Sequence, residues 1–390
     1  MNIHPGVDLV ERARALLPLI MREADEIEQT RRLTPAVTQA LIENGLYRAL
    51  LPKSFGGAEV PLETFMQMQE EIAKADASTA WCLGQCSVCA MTAAYLDPDA
   101  ANEIFNVAPG ILAWGAINHE VQAVPGGYRA SARWDFASGM RQASWLGAHV
   151  RVVEPDGTPR RRKDGAPEIR TILFPISSAT LHDVWDVIGL RGTGTDSYSV
   201  ENLFIPEKFA ALRDEPEARR ETGPLYKLST NMVFSMGFAA TSLGVARATL
   251  DAAIDLARAK TPQALKPMRD NNAVQGVIGR TEAQWRATRA YLYSTAAEVW
   301  RDLSAGADLT EAHRIALRLA ATWTIHQSAA VVDTAYRMAG ATAVFNANKF
   351  ERRFRDMHAI AQQIQGRDAH YEDAGKVILS GDLDAPPSAR

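Results

Sequence analysis

The chain has 390 residues, which is too long for one ordinary hydrophobic core and suits two or three packed units. Apolar residues make up 47% and charged residues 23%, a composition that excludes a disordered or membrane-embedded chain. The net charge of −4 gives no reason to expect nucleic acid or a membrane surface as a partner, and no apolar run reaches the roughly 18 residues that span a bilayer.

The first zone of the chain, from Val7 to about Asn106, has helical periodicity. Its opening segment is charged and lacks the apolar stretch of a targeting signal, so the sequence predicts a cytoplasmic protein. Thr34 and Pro35 form a typical helix start. The apolar pattern from Leu62 to Leu96 predicts either one long helix or two helices joined near Asp76.

Three cysteines lie within this zone, at positions 82, 86 and 89. Their spacing of four and three places them on one face of the predicted helix. A zinc site needs a fourth ligand, and the sequence has no second cysteine or histidine pair nearby. We therefore expect buried core thiols and no metal site.

The texture changes to short β-type runs between Pro109 and Phe209, and long alanine-rich helices return from Leu225 onward. The sequence predicts an α+β protein that is mainly α. We expect an N-terminal helical domain over 1–107, a small antiparallel β-barrel or sandwich over 108–215, and an antiparallel four-helix bundle over 216–390.

The segment "RWDFASG" carries the most informative pattern of the β zone. Trp134, Phe136 and Ser138 alternate, so on a regular strand they point to one side, and Gly139 follows them. Two aromatic rings and a hydroxyl on one face would suit a flat ring that needs a stacking wall and a hydrogen bond at its edge. A strand that faces the core and ends in a turn explains the same pattern, and both interpretations stay open from spacing alone.

Four segments together resemble the acyl-CoA dehydrogenase superfamily. They are "IENGLYRALLPKSFGGAEVPLETFMQMQEEIAKADASTAW", "VIGLRGTGTDSYSVENLFIPEK", "SLGVARATLDAAIDLAR" and "ERRFRDMHAIAQQIQG". They occur in the family's order and extend the resemblance from about residue 10 to about residue 380. The resemblance implies a flavin between the β domain and the C-terminal bundle. It makes flavin-pocket candidates of five residues, Asn118, Trp134, Phe136, Ser138 and Gly139.

The resemblance breaks at the catalytic base. Dehydrogenases of the family remove a proton with a glutamate that stands before a glycine, downstream of an R-D pair. After Arg355-Asp356 that position falls on Ile364 or Gln365, and neither side chain is a useful base. A minority of members carry the glutamate on an earlier helix, where this chain has Phe234.

A second departure concerns the cofactor. The R-x-x-F-G element that helps dehydrogenases hold FAD is missing from "ARAKTPQALKPMRDNNAVQ". Both departures resemble the two-component flavin-dependent monooxygenases that share this fold. The resemblance implies reduced FMN or FAD that is diffusible rather than permanently bound, a separate flavin reductase, a small aromatic or heteroaromatic substrate, and a homotetramer.

The same resemblance suggests roles for individual side chains. Ser138 takes the position of a serine near flavin N5 and is expected to be catalytic. A histidine of the oxygenases follows the R-D pair, and His358 and Gln363 are equal candidates for its place, with His370 behind them. We expect His370 and His119 to contact the substrate, although His119 could also face solvent at a strand end.

Three other interpretations remain open at this stage. The chain could be an acyl-CoA dehydrogenase with an atypical base, Glu351 or Asp368, or it could oxygenate the nitrogen of an amine. It could also be a scaffold that has lost the flavin. The arginines of the R-D segment could contact a flavin phosphate or form a solvated helix end; they are Arg352, Arg353 and Arg355.

Overall fold

The computed structural model describes residues 9–115 and 119–381. The first zone is helical, as its periodicity predicts. Its helices are α1 (Leu9–Thr30), α2 (Pro35–Glu43), α3 (Leu62–Ala75), α4 (Ala77–Ala90) and α5 (Pro98–Phe105). Helix α2 begins as predicted, because the Thr34 hydroxyl accepts a hydrogen bond from the backbone N–H of Val37 at 3.3 Å, with Pro35 at the first helical position.

Two helices, rather than one, occupy the apolar stretch after Leu62. Asp76 has an extended backbone, with φ −155°, and therefore ends α3. Its carboxylate then accepts hydrogen bonds from the Thr79 N–H at 2.6 Å and the Thr79 hydroxyl at 2.7 Å, which caps α4. The break turns α4, with its three buried cysteines, toward the β zone.

The second zone forms one sheet. Its strands are β1 (Leu112–Trp114), β2 (His119–Val124), β3 (Gly127–Ala137), β4 (Trp145–Val153), β5 (Ile169–Pro175), β6 (Thr180–His182), β7 (Asp196–Pro206) and β8 (Ala210–Ala211). The order is β6-β7-β3-β2-β4-β5-β8, with β1 beside β4. The pairings are antiparallel as predicted, except that β1 and β2 both run parallel to β4 and follow its edge as successive stretches.

The third zone is again helical. Its helices are α6 (Thr230–Ala259), α7 (Asn272–Ser304), α8 (Glu311–Ala339), α9 (Phe350–Ala361) and α10 (Ala369–Ser380). Helix α6 packs against α8 and α3. Gly244 permits the second contact, because a Cβ there would lie 2.3 Å from the Glu70 carbonyl oxygen. Of the described helices, α6 alone is long and apolar enough to cross a membrane, but it is almost entirely buried, as a core helix is.

One hydrophobic cluster runs through all three zones. The predicted boundaries after residues 107 and 215 fall between α5 and β1 and between β8 and α6. The shared core brings α4, the end of β3, the start of β7 and the first turns of α6 together, and the candidate site lies at this junction.

Candidate functional site

The Ser138 hydroxyl belongs to a buried series of hydrogen bonds, called here the hydrogen-bond chain. Trp81 Nε1 donates to Ser138 Oγ at 3.0 Å, and Ser138 Oγ lies 2.7 Å from Thr195 Oγ1. Thr195 Oγ1 in turn lies 2.7 Å from Thr193 Oγ1, whose hydroxyl donates to the Leu190 carbonyl at 2.8 Å. This hydrogen-bond chain joins α4, the end of β3 and the loop before β7. Ser138 itself is only 5% exposed, so these hydrogen bonds are formed away from bulk water.

A series of aromatic rings continues from Trp81. Its indole stacks on Phe238 of α6 with 3.7 Å between the ring centroids and 7° between the planes. Phe238 stacks on Phe234, and Phe234 meets Trp114 of β1 edge to face at 6.2 Å. The Arg213 guanidinium lies 5.2 Å from the centre of the Trp114 ring. The rings of Trp81, Phe238, Phe234 and Trp114 form an aromatic wall with a cation at one end. Such a surface favours the binding of flat rings.

The two positions where dehydrogenases carry their base lie beside each other. The Ser235 hydroxyl donates to the Gln365 side-chain oxygen, so the residue next to Phe234 is joined directly to Gln365. The Thr322 hydroxyl donates to the Gln365 carbonyl at 3.0 Å and holds the turn in place. Phe234 has an aromatic ring, Gln365 an amide, and the alternative position Ile364 an exposed apolar side chain. Among the contacts that the described residues make here, no carboxylate replaces them.

The predicted common face of Trp134, Phe136 and Ser138 is wrong. The β3–β7 register shifts between Trp134 and Ala137, and Phe136 has φ +62°. This bulge breaks the alternation. Trp134 is fully buried inside the sheet, where it stacks on Tyr198, so it lines no open wall. Phe136 is 60% exposed, and Ser138 lies beyond the end of the strand.

Gly139 lies directly after Ser138, with φ +78°. A Cβ at this position would approach Cys86 Sγ to 2.6 Å, so the glycine is required where α4 passes the end of β3. The Cys86 thiol is buried, which raises its pKa well above the usual range and makes it a core thiol as expected. Asn118, the remaining predicted flavin contact, lies outside the described residues.

The two histidines predicted to contact substrate are not brought together. His119 lies at the start of β2 with its ring 5.5 Å from that of Trp134, inside the β zone. His370 is buried behind Gln365, with Nδ1 2.8 Å from Thr322 Oγ1. Burial lowers the pKa of His370, so its ring is neutral near pH 7.

The two candidates for the histidine after the R-D pair have different surroundings. His358 Nε2 lies 2.8 Å from an Asp333 carboxylate oxygen, and its ring packs on Phe354, so its polar edge is bound to α8. The Gln363 side-chain oxygen accepts from the Gln365 N–H at 2.8 Å and caps the turn that carries Gln365. Gln363 is therefore linked to the aromatic wall through Gln365 and Ser235.

The charged residues of the R-D segment are engaged within the protein. The proposed atypical bases do not lie at the aromatic wall: Glu351 pairs with Arg355 at 2.7 Å, and the Asp368 side chain is 86% exposed. The arginines also have partners, which argues against a phosphate site. These are Arg352 with Asp25 at 2.6 Å, Arg355 with Glu28 at 2.9 Å, and Arg353 with the Ala248 carbonyl at 2.9 Å.

Sequence reasoning missed both hydrogen-bond partners of the Ser138 hydroxyl, and also Thr193, which bonds the second of them. Trp81, Thr193 and Thr195 belong to segments that carry the family resemblance, yet no local spacing relates them to Ser138, which lies 57 positions from both Trp81 and Thr195. The four-residue spacing of Phe234 and Phe238 could have indicated that both rings lie on one face of α6. Within the described ranges, no group of three or more His, Cys, Asp or Glu side chains could hold a metal ion.

Comparison with known proteins matches the ends of the chain to two family models. The acyl-CoA dehydrogenase N-terminal domain matches residues 9–98, and the acyl-CoA dehydrogenase C-terminal domain matches residues 236–366. The two models describe parts of one family and flank the sheet, as the order of the zones requires.

Individual relatives extend over nearly the whole chain. The indole-3-acetate monooxygenase of Pseudomonas putida is 28% identical over 91% of this chain and 89% of its own length. The flavin-dependent monooxygenase oxygenase subunit HsaA of Rhodococcus jostii is 27% identical over 90% and 92%. A solved structure of XiaF from a Streptomyces species, in complex with FADH2 and glycerol, has the same fold, with a TM-score of 0.88, 22% identity and 97% of each chain covered.

Proposed function

Because the chain belongs to the acyl-CoA dehydrogenase family, we propose that it is the oxygenase component of a two-component flavin-dependent monooxygenase. It uses reduced FMN or FAD and O2 to hydroxylate a small aromatic or heteroaromatic compound. The names of its relatives, which are monooxygenases and hydroxylases of aromatic compounds, support this function.

One observation carries the choice between oxygenase and dehydrogenase. The resemblance places the family's base at Phe234 and at either Ile364 or Gln365, and the Ser235 hydroxyl joins the Phe234 position to Gln365. Removal of a proton next to a thioester needs a carboxylate at this place. Oxygenation of an aromatic ring does not need that base, so the aromatic ring and the amide are compatible with it.

The residues around Ser138 fit a flavin. Phe136 keeps its ring exposed at a left-handed backbone position, and strained positions of this kind cluster at functional sites. We propose that Phe136 covers one face of the flavin and that the Ser138 hydroxyl meets N5, with Gly139 alongside; a flavin contact by Asn118 stays a prediction. When bound, the reduced flavin supplies the activation of O2.

The aromatic wall supports an aromatic substrate. The rings of Trp81, Phe238 and Phe234 stack in sequence and are each less than 10% exposed, so this part of the site is apolar and largely closed to water. Exclusion of water suits an oxygenation that must not be diverted to solvent. Gln363, at the end of this wall, is the better supported of the two candidates for a polar contact, while the roles of His119, His358 and His370 stay predictions.

We further propose a separate flavin reductase, a cytoplasmic location and a homotetramer. Exposed apolar residues of the C-terminal zone support self-association, since large exposed apolar groups mark interaction surfaces. They include Val344 at 66% and Phe345 at 65%, between α8 and α9, and Ile378 at 69% and Leu379 at 89% on α10.

The function is tested with reduced flavin and isotopically labelled oxygen. The protein is titrated anaerobically with reduced FMN and reduced FAD, then mixed with buffer containing ¹⁸O2 and one of three probes: indole, resorcinol or indole-3-acetate. We expect reduced flavin to bind and one probe to gain an ¹⁸O atom. Fragment masses distinguish oxygenation at carbon from oxygenation at nitrogen. Tightly bound oxidised FAD that acyl-CoA bleaches, with no labelled product, would return the chain to the dehydrogenases.

A further inference from the structure

We propose, on the basis of the proposed function, that Thr193 and Thr195 set the direction of the Ser138 hydroxyl and so make the site selective for flavin that carries a hydrogen on N5. The proposal assigns a specificity-determining role to two threonines that need not touch the flavin. It rests on the direction of each hydrogen bond in the buried chain.

The Leu190 carbonyl fixes the donor and the acceptor in each hydrogen bond of this chain. A carbonyl oxygen can only accept, so the Thr193 hydroxyl hydrogen is committed to the Leu190 carbonyl at 2.8 Å. Thr193 therefore accepts in its 2.7 Å contact with Thr195, and the Thr195 hydroxyl is the donor. Since each hydroxyl has one hydrogen, Thr195 must in turn accept in its 2.7 Å contact with Ser138.

The Trp81 end of the hydrogen-bond chain requires the same direction. An indole N–H can only donate, so Ser138 Oγ is the acceptor in its 3.0 Å contact with Trp81. Ser138 therefore gives its hydrogen to Thr195 and receives one from Trp81. Among the described residues no third partner reaches Ser138 Oγ, which leaves this oxygen with one free lone pair and no free hydrogen.

The acceptor end of the chain is firmly held. The Leu190 carbonyl also receives the Trp185 Nε1–H at 2.9 Å and the Thr193 N–H at 3.2 Å. Leu190 is in the left-handed backbone region, with φ +52°, and its own N–H is held by Asp356 at 2.6 Å. Reversal of the hydrogen-bond chain would break the bond from the Thr193 hydroxyl to this carbonyl and leave the Ser138 hydrogen without an acceptor among the described residues, so the observed direction is the favoured one.

Because only reduced flavin has a hydrogen on N5, a Ser138 oxygen that can only accept should favour reduced over oxidised flavin. Reduced flavin carries a hydrogen on N5 and can donate it to the free lone pair of Ser138. Oxidised flavin has a lone pair on N5 and needs a donor, which Ser138 does not offer without breaking the chain. Two facing acceptors in a buried site are unfavourable, so oxidised flavin is disfavoured and leaves after the reaction.

The test compares both oxidation states of FMN on the whole protein. Dissociation constants for oxidised FMN, and for FMN reduced with dithionite under argon, are measured by equilibrium dialysis for the wild type and for Thr195→Val. The variant frees the Ser138 hydrogen to donate. We expect the ratio of the oxidised to the reduced dissociation constant to fall at least about ten-fold, mainly because oxidised FMN binds more tightly.

The midpoint potential of bound FMN is a second readout that does not depend on turnover. A ten-fold loss of preference for the reduced form should lower it by about 30 mV for the two-electron couple. Thr195→Ser keeps the hydroxyl and should keep both values. Thr249→Val is the matched control, because it also removes a buried threonine hydroxyl, one that donates to Val245 of its own helix at 2.7 Å.

The outcomes separate the two proposals. A gain of affinity for oxidised FMN cannot come from a misfolded variant, so it would establish the role of Thr195. Equal affinity of the wild type for both forms, or an unchanged ratio in Thr195→Val, would overturn the selectivity while the oxygenase function stands. If the wild type binds FMN and FAD in neither state, the proposed function fails and the selectivity fails with it.

Discussion

The Asp356 carboxylate accepts a hydrogen bond at 2.6 Å from the backbone N–H of Leu190, a residue 166 positions earlier in the chain. Asp356 is 2% exposed and lies on α9, while Leu190 belongs to the loop that leads to β7. The bond therefore ties the C-terminal helices to the loop that supports Thr193 and Ser138. Burial raises the pKa of Asp356 to about 8, and repulsion from Asp76 adds to the effect.

This pKa predicts a pH-dependent stability that Asp356→Asn removes. An aspartate ionises near pH 3.8 in the unfolded chain and near pH 8 in the folded protein, so its contribution is full below pH 3.8 and is lost as the pH rises through about 8. Between pH 5 and pH 8.5 the wild type should lose about 3–6 kcal/mol of unfolding free energy relative to Asp356→Asn. Urea unfolding at the two pH values measures the difference.

The control is Asp255→Asn, which changes an aspartate whose side chain is 74% exposed on α6. It should leave the difference between the two pH values as in the wild type. If Asp356→Asn runs parallel to the wild type at both pH values, Asp356 is ionised throughout, and the Leu190 N–H stabilises the charged form more than burial disfavours it.

Phe136 combines a left-handed backbone, φ +62°, with an exposed ring. Glycine adopts this conformation without strain and alanine does not, so Phe136→Gly should be more stable than Phe136→Ala by about 1 kcal/mol, the reverse of the usual order in a strand. Both variants remove the proposed flavin wall and should weaken binding of reduced FMN about ten-fold. Thermal unfolding and anaerobic dialysis give the two quantities.

Phe204→Ala serves as the comparison, because Phe204 is also a partly exposed phenylalanine of the sheet, on β7. It should bind reduced FMN as the wild type does. Unchanged binding in the Phe136 variants would show that this ring does not cover the flavin. An equal loss in Phe204→Ala would mean that truncation of any exposed phenylalanine of the sheet weakens binding.

The helix starts at Thr34 and Asp76 could be predicted because each depends on side chains within three positions of the cap. The change from helical to β-type periodicity and back indicated the three zones, and the family resemblance agreed with their order. Both kinds of signal are local, or are sums of local signals. They therefore predict which elements form more reliably than which side chains meet.

The site could be predicted only in part, for two physical reasons. A single residue in the left-handed region, Phe136, ends the alternation near the end of β3, and the residue types there do not indicate it. The partners of Ser138 come from α4 and from the loop before β7, so tertiary packing alone selects them. For the same reason the Asp333 partner of His358 was not visible in the sequence.

Gly139 should be intolerant of even the smallest side chain. Gly139→Ala places a Cβ 2.6 Å from Cys86 Sγ at a residue with φ +78°, and we expect a loss of about 2–4 kcal/mol of unfolding free energy. Cys86→Ala removes the clashing sulfur and should restore part of this loss in the double variant, leaving the backbone strain of about 1 kcal/mol.

The double-variant cycle is measured by urea unfolding, with Cys89→Ala in place of Cys86→Ala as the matched control. Cys89 is also a buried cysteine of α4, and its sulfur contacts Gln85 Nε2 at 3.6 Å. Equal recovery with both cysteine variants would mean that the cost of Gly139→Ala comes from the backbone angle and not from the sulfur.

Gln363 and His358 can be distinguished by how much product each variant makes per flavin oxidised. Gln363 caps the turn of Gln365, which Ser235 joins to the aromatic wall, whereas His358 is bound to Asp333. Gln363→Ala should therefore lower the yield of ¹⁸O-labelled product per reduced FMN about ten-fold, by loosening a group held against the wall. His358→Ala should stay within about two-fold of the wild type, because the hydrogen bond it loses joins α9 to Asp333 and not to this turn. The reverse order would assign the role of the oxygenase histidine to His358. It would also require that its bond to Asp333 orients the ring toward the site.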